Sequence, residues 1–167
     1  MYSSIEAFKK DWQEESKKTL TLFRSLNNKS FHVQPHPHVR SAARVAWHIT
    51  DTIGEMMSKT GLHIDKYNEE ESDIFWNVEE LCAVYEVFST NLIEQLSKHW
   101  KDADLQHELQ IYGGTQKKGE ILQMLIRHQI HHRGQLTVIM RLTDVEVAGT
   151  YGPAKQEWSK YSMPVMD

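Results

Sequence analysis

The stretch Arg127-His128-Gln129-Ile130-His131-His132-Arg133-Gly134-Gln135-Leu136 places three imidazoles and two carboxamides within a helical pattern that runs from about Lys118 to Arg141. Helical residues advance about 100° each, so His128 and His132 lie about 40° apart on one face. Ile121, Leu125, Leu136 and Ile139 share that face, so it points to a core. Two imidazoles at an i,i+4 step, with Cβ atoms roughly 5–6 Å apart, can close on one metal ion. His131 is offset by about 60° to the other side of His128 and could replace either partner, but its angle ranks it second. Gln135 falls within about 20° of His128, close enough to orient a ligand through a hydrogen bond. A third imidazole is available at His48, beside the apolar stripe Val45, Ile49, Ile53 and Met56. Thr52 and Glu55 continue its row, so it can face the interior. Taken alone, His48 reads as a hydrogen-bonded core histidine, but a second histidine-rich helix in the same small chain reverses that reading. His48, His128 and His132 are therefore the expected ligands.

Three neutral imidazoles on a divalent ion leave room for water or substrate, the open arrangement of catalytic sites. With no carboxylate ligand the ion keeps its double positive charge, which lowers the pKa of a bound water or thiol. Imidazole suits zinc, nickel, copper and iron, of which zinc and nickel are expected here. Metal occupancy should fall below roughly pH 6.5, where free imidazoles protonate. Two familiar alternatives fail on residue identity. Gln129 stands where a zincin carries its glutamate base, and the Glu-x-x-His pairs of a di-iron carboxylate bundle are missing. An uncharged histidine cluster that merely specifies packing would leave buried donors and acceptors unsatisfied, at roughly 1–3 kcal/mol each.

The elements that must hold these residues follow from periodicity. Ile5, Phe8, Trp12, Thr19, Leu22, Phe23 and Leu26 mark an amphipathic first helix ending at Asn27-Asn28. The second runs from about Ser41 to Lys59, with Gly61 just past its end. Residues 62–76 read as a connection with one short helix. Asn77-Val78-Glu79-Glu80 resembles a capping box, and Leu81, Val84, Tyr85, Phe88, Leu92 and Leu96 carry a third helix to about Trp100. Lys101 to Gln116 reads as loop, with Leu109 and Ile111 briefly extended before a Gly113-Gly114 turn. The histidine helix follows; Gly134 within it costs about 1 kcal/mol relative to alanine, which a closely packed neighbour would explain. In the tail, Pro153 suits the first position of a short helix, and Tyr151 and Trp158 offer apolar surface for docking. Four long helices with irregular connections and a docked tail predict an all-α four-helix bundle, a single domain over 1–167. Prolines bar a helix in Phe31–His38, so His32, His36 and His38 read as solvated loop histidines.

Composition limits the function classes. Hydrophobic content of 40% and charged content of 25% fit a globular chain. No apolar run approaches the roughly 20 residues of a membrane span, and the N-terminus lacks a secretory signal, so a cytoplasmic setting is expected. A net charge of −4 with no basic run gives nucleic acid no electrostatic footing. Cys82 is the sole cysteine and has no neighbouring cation to activate it, so it reads as a small core hydrophobe.

Ala46-Trp47-His48-Ile49 and the motif His128-x3-His132-Arg133-Gly134-Gln135 together resemble the DinB/YfiT-like metalloenzyme family. The tail Tyr151-Gly152-Pro153-Ala154-Lys155-x-Glu157-Trp158 is similar to that of a bacillus-type subgroup. The resemblance covers nearly the whole chain. It implies a four-helix bundle, often a homodimer, with a divalent metal on three histidines. Some such relatives are thiol-dependent transferases that use bacillithiol, mycothiol or glutathione. The resemblance thus implies a low-molecular-weight thiol, held as thiolate and delivered to a small electrophile, with Lys117 and Lys118 either attracting an acidic thiol or simply solvated. Two other functions compete: metal-dependent hydrolysis, with Glu55 or Asp51 on the right helix to act as base, and a non-enzymatic, stress-related metal-binding module.

Overall fold

Ser4, Ser41 and Asn77 start three of the helices for the same reason: each side chain accepts from a backbone N–H left without a partner in the first turn. The acceptor distances are 3.4 Å from Ala7 N, 3.2 Å from Arg44 N and 2.8 Å from Glu80 N. The computed structural model describes residues 1–64, 77–162 and 164. Among these, the four long helices are α1 (Ile5–Ser25), α2 (Ala42–Ser58), α3 (Val78–His99) and α4 (Lys118–Leu142). The fourth is started by the Glu120 carboxylate, which accepts from Lys117 N at 2.9 Å. The connection 65–76, where a short helix was expected, lies outside the described residues.

Each helix packs on two others. α1 lies against α3 and α4, and α2 lies against the same pair, giving a mostly helical bundle. The apolar stripes meet in one core, with Phe8, Leu22, Ile49, Tyr85, Leu92, Leu125 and Leu136 fully buried. Trp12 joins α1 to α3 by donating its indole N–H to Ser89 Oγ at 2.9 Å. The seam between α2 and α4 carries the histidines.

The segment expected to be loop before α4 is more ordered than its sequence suggests. A 3-10 turn (Asp102–Gln106) leads into a hairpin of β1 (Glu108–Ile111) and β2 (Gly114–Lys117). Tyr112 and Gly113 both take positive φ, 51° and 77°, as the tight two-residue hairpin turn requires. The tail also departs from expectation. Its short helix is a 3-10 turn (Lys155–Tyr161) that begins two residues after Pro153. Tyr151 does not bury its ring, which stays exposed; its hydroxyl makes the attachment instead.

The expected reason for Gly134 is also corrected. A Cβ at Gly134 would meet nothing within 4 Å, and the residue is exposed. The tightly approached glycine of α4 is Gly119, where a Cβ would come within 2.1 Å of the Tyr2 carbonyl oxygen. Tyr2 N donates to Gly119 O at 3.1 Å, so the N-terminus straps across the start of the histidine helix.

Candidate metal centre

His48 comes from the middle of α2, and His128 and His132 come from successive turns of α4. The Nε2 atoms of His48 and His132 are 3.1 Å apart, and those of His132 and His128 are also 3.1 Å apart. Among the described residues these three form a group whose ligand atoms all lie within 4.8 Å of one another, and no carboxylate belongs to it. Nitrogens at the corners of a tetrahedron with metal–nitrogen bonds of ~2.0–2.1 Å would be about 3.3 Å apart. The spacing therefore fits a common ion.

Hydrogen bonding assigns the protons in the same sense. Gln135 Oε1 lies 2.7 Å from His132 Nδ1, and a carbonyl oxygen can only accept, so Nδ1 carries the hydrogen. His132 Nε2 then has only a lone pair, aimed at the other two rings. A single lone pair cannot serve both neighbours as a good hydrogen-bond acceptor, whereas it can serve one cation. His128 Nδ1 is buried without a partner. Gln135 also turns its amide toward His131, whose Nε2 is 3.1 Å from Gln135 Nε2. His131 is exposed and stands outside the converging set, as its angular offset suggested.

Electrostatics keep the cluster ready for a cation. Burial, then the neighbouring His132 and the Arg40 and Arg44 charges, push the pKa of His48 down to about 4. Burial and the two partner histidines lower His128 to about 4 as well. His132 is lowered too, chiefly by burial, with the Gln135 hydrogen bond acting against it. All three are neutral at pH 7, so binding a metal needs no proton loss from these rings.

The surrounding residues explain two motif positions that spacing alone left open. Gln129 is fully buried; it donates from Nε2 to the Ile49 carbonyl at 2.7 Å and accepts from the Tyr85 hydroxyl at 3.2 Å. A glutamate there could not donate to Ile49, so the amide ties α4 to α2 beside His48 and is not a failed zincin base. Arg133 was noticed in the sequence only as part of a motif, yet it is buried and donates from Nη1 to the Glu15 carbonyl at 2.5 Å and Thr19 Oγ1 at 3.0 Å. Its Nη2 pairs with the Glu15 carboxylate and reaches the Tyr151 hydroxyl at 2.6 Å. Burial would raise the Glu15 pKa, but hydrogen bonds from Lys18, Tyr151 and Arg133 outweigh it and hold the carboxyl below its usual range.

Other candidates settle elsewhere. Lys117 donates to Gln106 Oε1 at 3.1 Å, and the Lys118 ammonium lies 4.4 Å from the Trp100 ring centre. Glu55 has one oxygen paired with Lys59 and the other accepting from the Tyr112 hydroxyl at 2.5 Å. Cys82 is half-buried against the core, and burial pushes its thiol pKa up. His36 and His38 lie in an exposed loop with ring centres 5.4 Å apart.

The DinB family model matches residues 1–163. The chain belongs to the DinB family. At the sequence level this DinB chain is similar to the uncharacterized protein YrdA of Bacillus subtilis (strain 168), with 32% identity over 163 residues, 98% of this chain and 97% of that one. Its structure is similar to that of a DinB-like protein from Bacillus cereus, with a TM-score of 0.84 and 32% identity, covering 90% of this chain and 100% of the other. The DinB-like protein YjoA of B. subtilis shares the fold at a TM-score of 0.67 and 15% identity, over 89% of this chain and 99% of that one. The bundle, its three-histidine cluster and the family resemblance of the sequence motifs thus agree. No described helix is long and apolar enough to cross a membrane.

Proposed function

We propose that this DinB protein holds a divalent ion, zinc or nickel, on His48, His128 and His132, and acts as a thiol-dependent S-transferase of the bacillithiol type on small electrophiles. The observation that carries the reading is the convergence of three neutral Nε2 atoms from two helices, with contacts of 3.1 Å. When bound, such an ion supplies a double positive charge that favours an anionic ligand and holds a thiol as its thiolate near neutral pH. The protein's own part is to fix the imidazoles: Gln135 sets the His132 tautomer, and Gln129 anchors α4 against α2. Low-dielectric surroundings keep the rings uncharged.

Hydrolysis at the same centre has weaker support, because the nearby Glu55 carboxylate is engaged by Lys59 and Tyr112 and is not free to serve as base. The test is metal analysis of untagged protein, followed by thiol consumption with a chromogenic electrophile. Metal-dependent thiol loss is expected. Stoichiometric metal with neither thiol transfer nor hydrolysis would leave a binding module and end the transferase reading. The proposal includes a homodimer, supported by the exposed Ile130 and Val138 on α4. Sedimentation should give a dimer mass for the wild type and a monomer mass for Ile130→Glu; a monomeric wild type would exclude the dimer.

A further inference from the structure

A cavity of about 520 Å³ adjoins the histidine cluster at His132 and Gln135, a volume suited to a small molecule. Its walls differ in character. Val45 on α2 and Ile139 and Leu142 on α4 form an apolar side, while His38 and Arg40 come from the loop that precedes α2. Among the described residues, no acidic side chain lines the space. Arg40 is exposed, and no carboxylate among the described residues is in ion-pairing distance of it. Arg44, the next arginine along, is stacked 4.3 Å over the Trp47 ring, which leaves Arg40 as the guanidinium turned to the cavity. A guanidinium with no ion-pair partner among the described residues, at one end of an apolar wall, matches one ligand shape: an anion with a hydrocarbon body.

We propose that this cavity is the substrate subsite of the metal centre and that it selects a small amphiphilic carboxylic acid. The carboxylate pairs with Arg40, the apolar body lies along Val45, Ile139 and Leu142, and the reactive end is directed to His132 and Gln135. Gln135 then has two duties, one toward His132 and one toward the cavity that it lines. This inference rests on the metal-centre reading for the word substrate, but the cavity's preference for an acid is measurable without metal.

The experiment is calorimetric titration of the full chain, stripped of metal by chelator, with hexanoate and with hexan-1-ol at low ionic strength. Amide shifts in an NMR spectrum locate each probe. Wild type is expected to bind hexanoate more tightly than hexan-1-ol, with shifts at Val45, Ile139 and Leu142. Arg40→Gln should weaken hexanoate about fivefold, the upper range for an exposed ion pair, and leave hexan-1-ol unchanged. Arg40 is on the surface, so this variant is expected to fold, and its metal stoichiometry should equal that of wild type. Equal hexanoate affinity in both proteins, equal binding of acid and alcohol, or shifts confined to another surface would each overturn the subsite. A wild type that takes up no metal but binds hexanoate through Arg40 would instead defeat the metal reading, so the two failures are told apart.

Discussion

His132 carries more of the site's geometry than either partner, because its Nε2 faces both other rings while its Nδ1 is held by Gln135. His132→Ala should abolish stoichiometric metal binding while circular dichroism shows an intact helix content; full metal retention would remove His132 from the ligand set. Gln135→Ala should keep the ligands but release the tautomer and ring orientation, lowering metal affinity by about 10- to 100-fold in a competition titration. An unchanged affinity would mean that the 2.7 Å contact does not orient the ring. The pair His128 and His132 was legible in the sequence because a helix converts a four-residue step into a shared face. His48 was legible only by association, since a lone histidine beside an apolar stripe has no period of its own. Arg40 and His38 were not legible: they lie in a proline-rich loop, where no repeat tells which way a side chain turns. Gln129 was visible as a missing glutamate, but its bonds to Ile49 and Tyr85 depend on how three helices meet.

At the scale of the elements, α4 is fixed by what touches each of its ends and its middle. Gly119 allows the Tyr2 carbonyl to approach, so Gly119→Ala should lower the thermal midpoint by forcing the N-terminal strap away. Gly134 faces open space, and Gly134→Ala should raise stability by about 0.5–1 kcal/mol through helix propensity. Denaturant titration of the two variants checks both signs, and a destabilised Gly134→Ala would show that something does pack there. The middle of α4 is tied to α1 and the tail by Arg133, Glu15 and Tyr151. Removing one member of a buried ion pair leaves the other charge without compensation, so Glu15→Ala should cost about 3–5 kcal/mol. It should also expose the tail to limited proteolysis near Tyr151; a tail as protected as in wild type would contradict the link. Helix bounds were nearly readable from apolar spacing: α4 ends one residue beyond its expected limit, and α1 stops at Ser25, short of the expected Asn27-Asn28. The second strand of the hairpin was not, because Thr115 and Gln116 are polar and show no alternation. The tail's attachment was misread because aromatic rings suggest burial, whereas Tyr151 works through its hydroxyl.

For the whole molecule, the histidine cluster links protonation to folding and, with the proposed ion bound, would link metal to both. His48 and His128 have folded-state pKa values of about 4, against roughly 6.5 for an unperturbed imidazole in the unfolded chain. Between those values the unfolded chain binds more protons than the folded one, so stability rises with pH across the interval. Metal-free protein should therefore be insensitive to these two groups above about pH 6.5 and lose stability progressively toward pH 4. The same depression moves metal release below the pH 6.5 onset that free imidazoles suggest, since His48 and His128 are still neutral at pH 5.5 in the folded chain. The proposed ion, held between α2 and α4, would favour only the folded chain, contributing about 2.7 kcal/mol at a free concentration one hundred times its dissociation constant. Denaturant midpoints with chelator and with metal, taken at pH 7.5, 5.5 and 4.5, separate these effects. The chelated protein should weaken at each step below 6.5, and the gap between the two curves should persist at 5.5 and close toward 4.5. A chelated protein equally stable at 7.5 and 4.5 would mean that the rings are not desolvated in solution. A gap already closed at 5.5 would mean that protons compete for them as they do for exposed histidines.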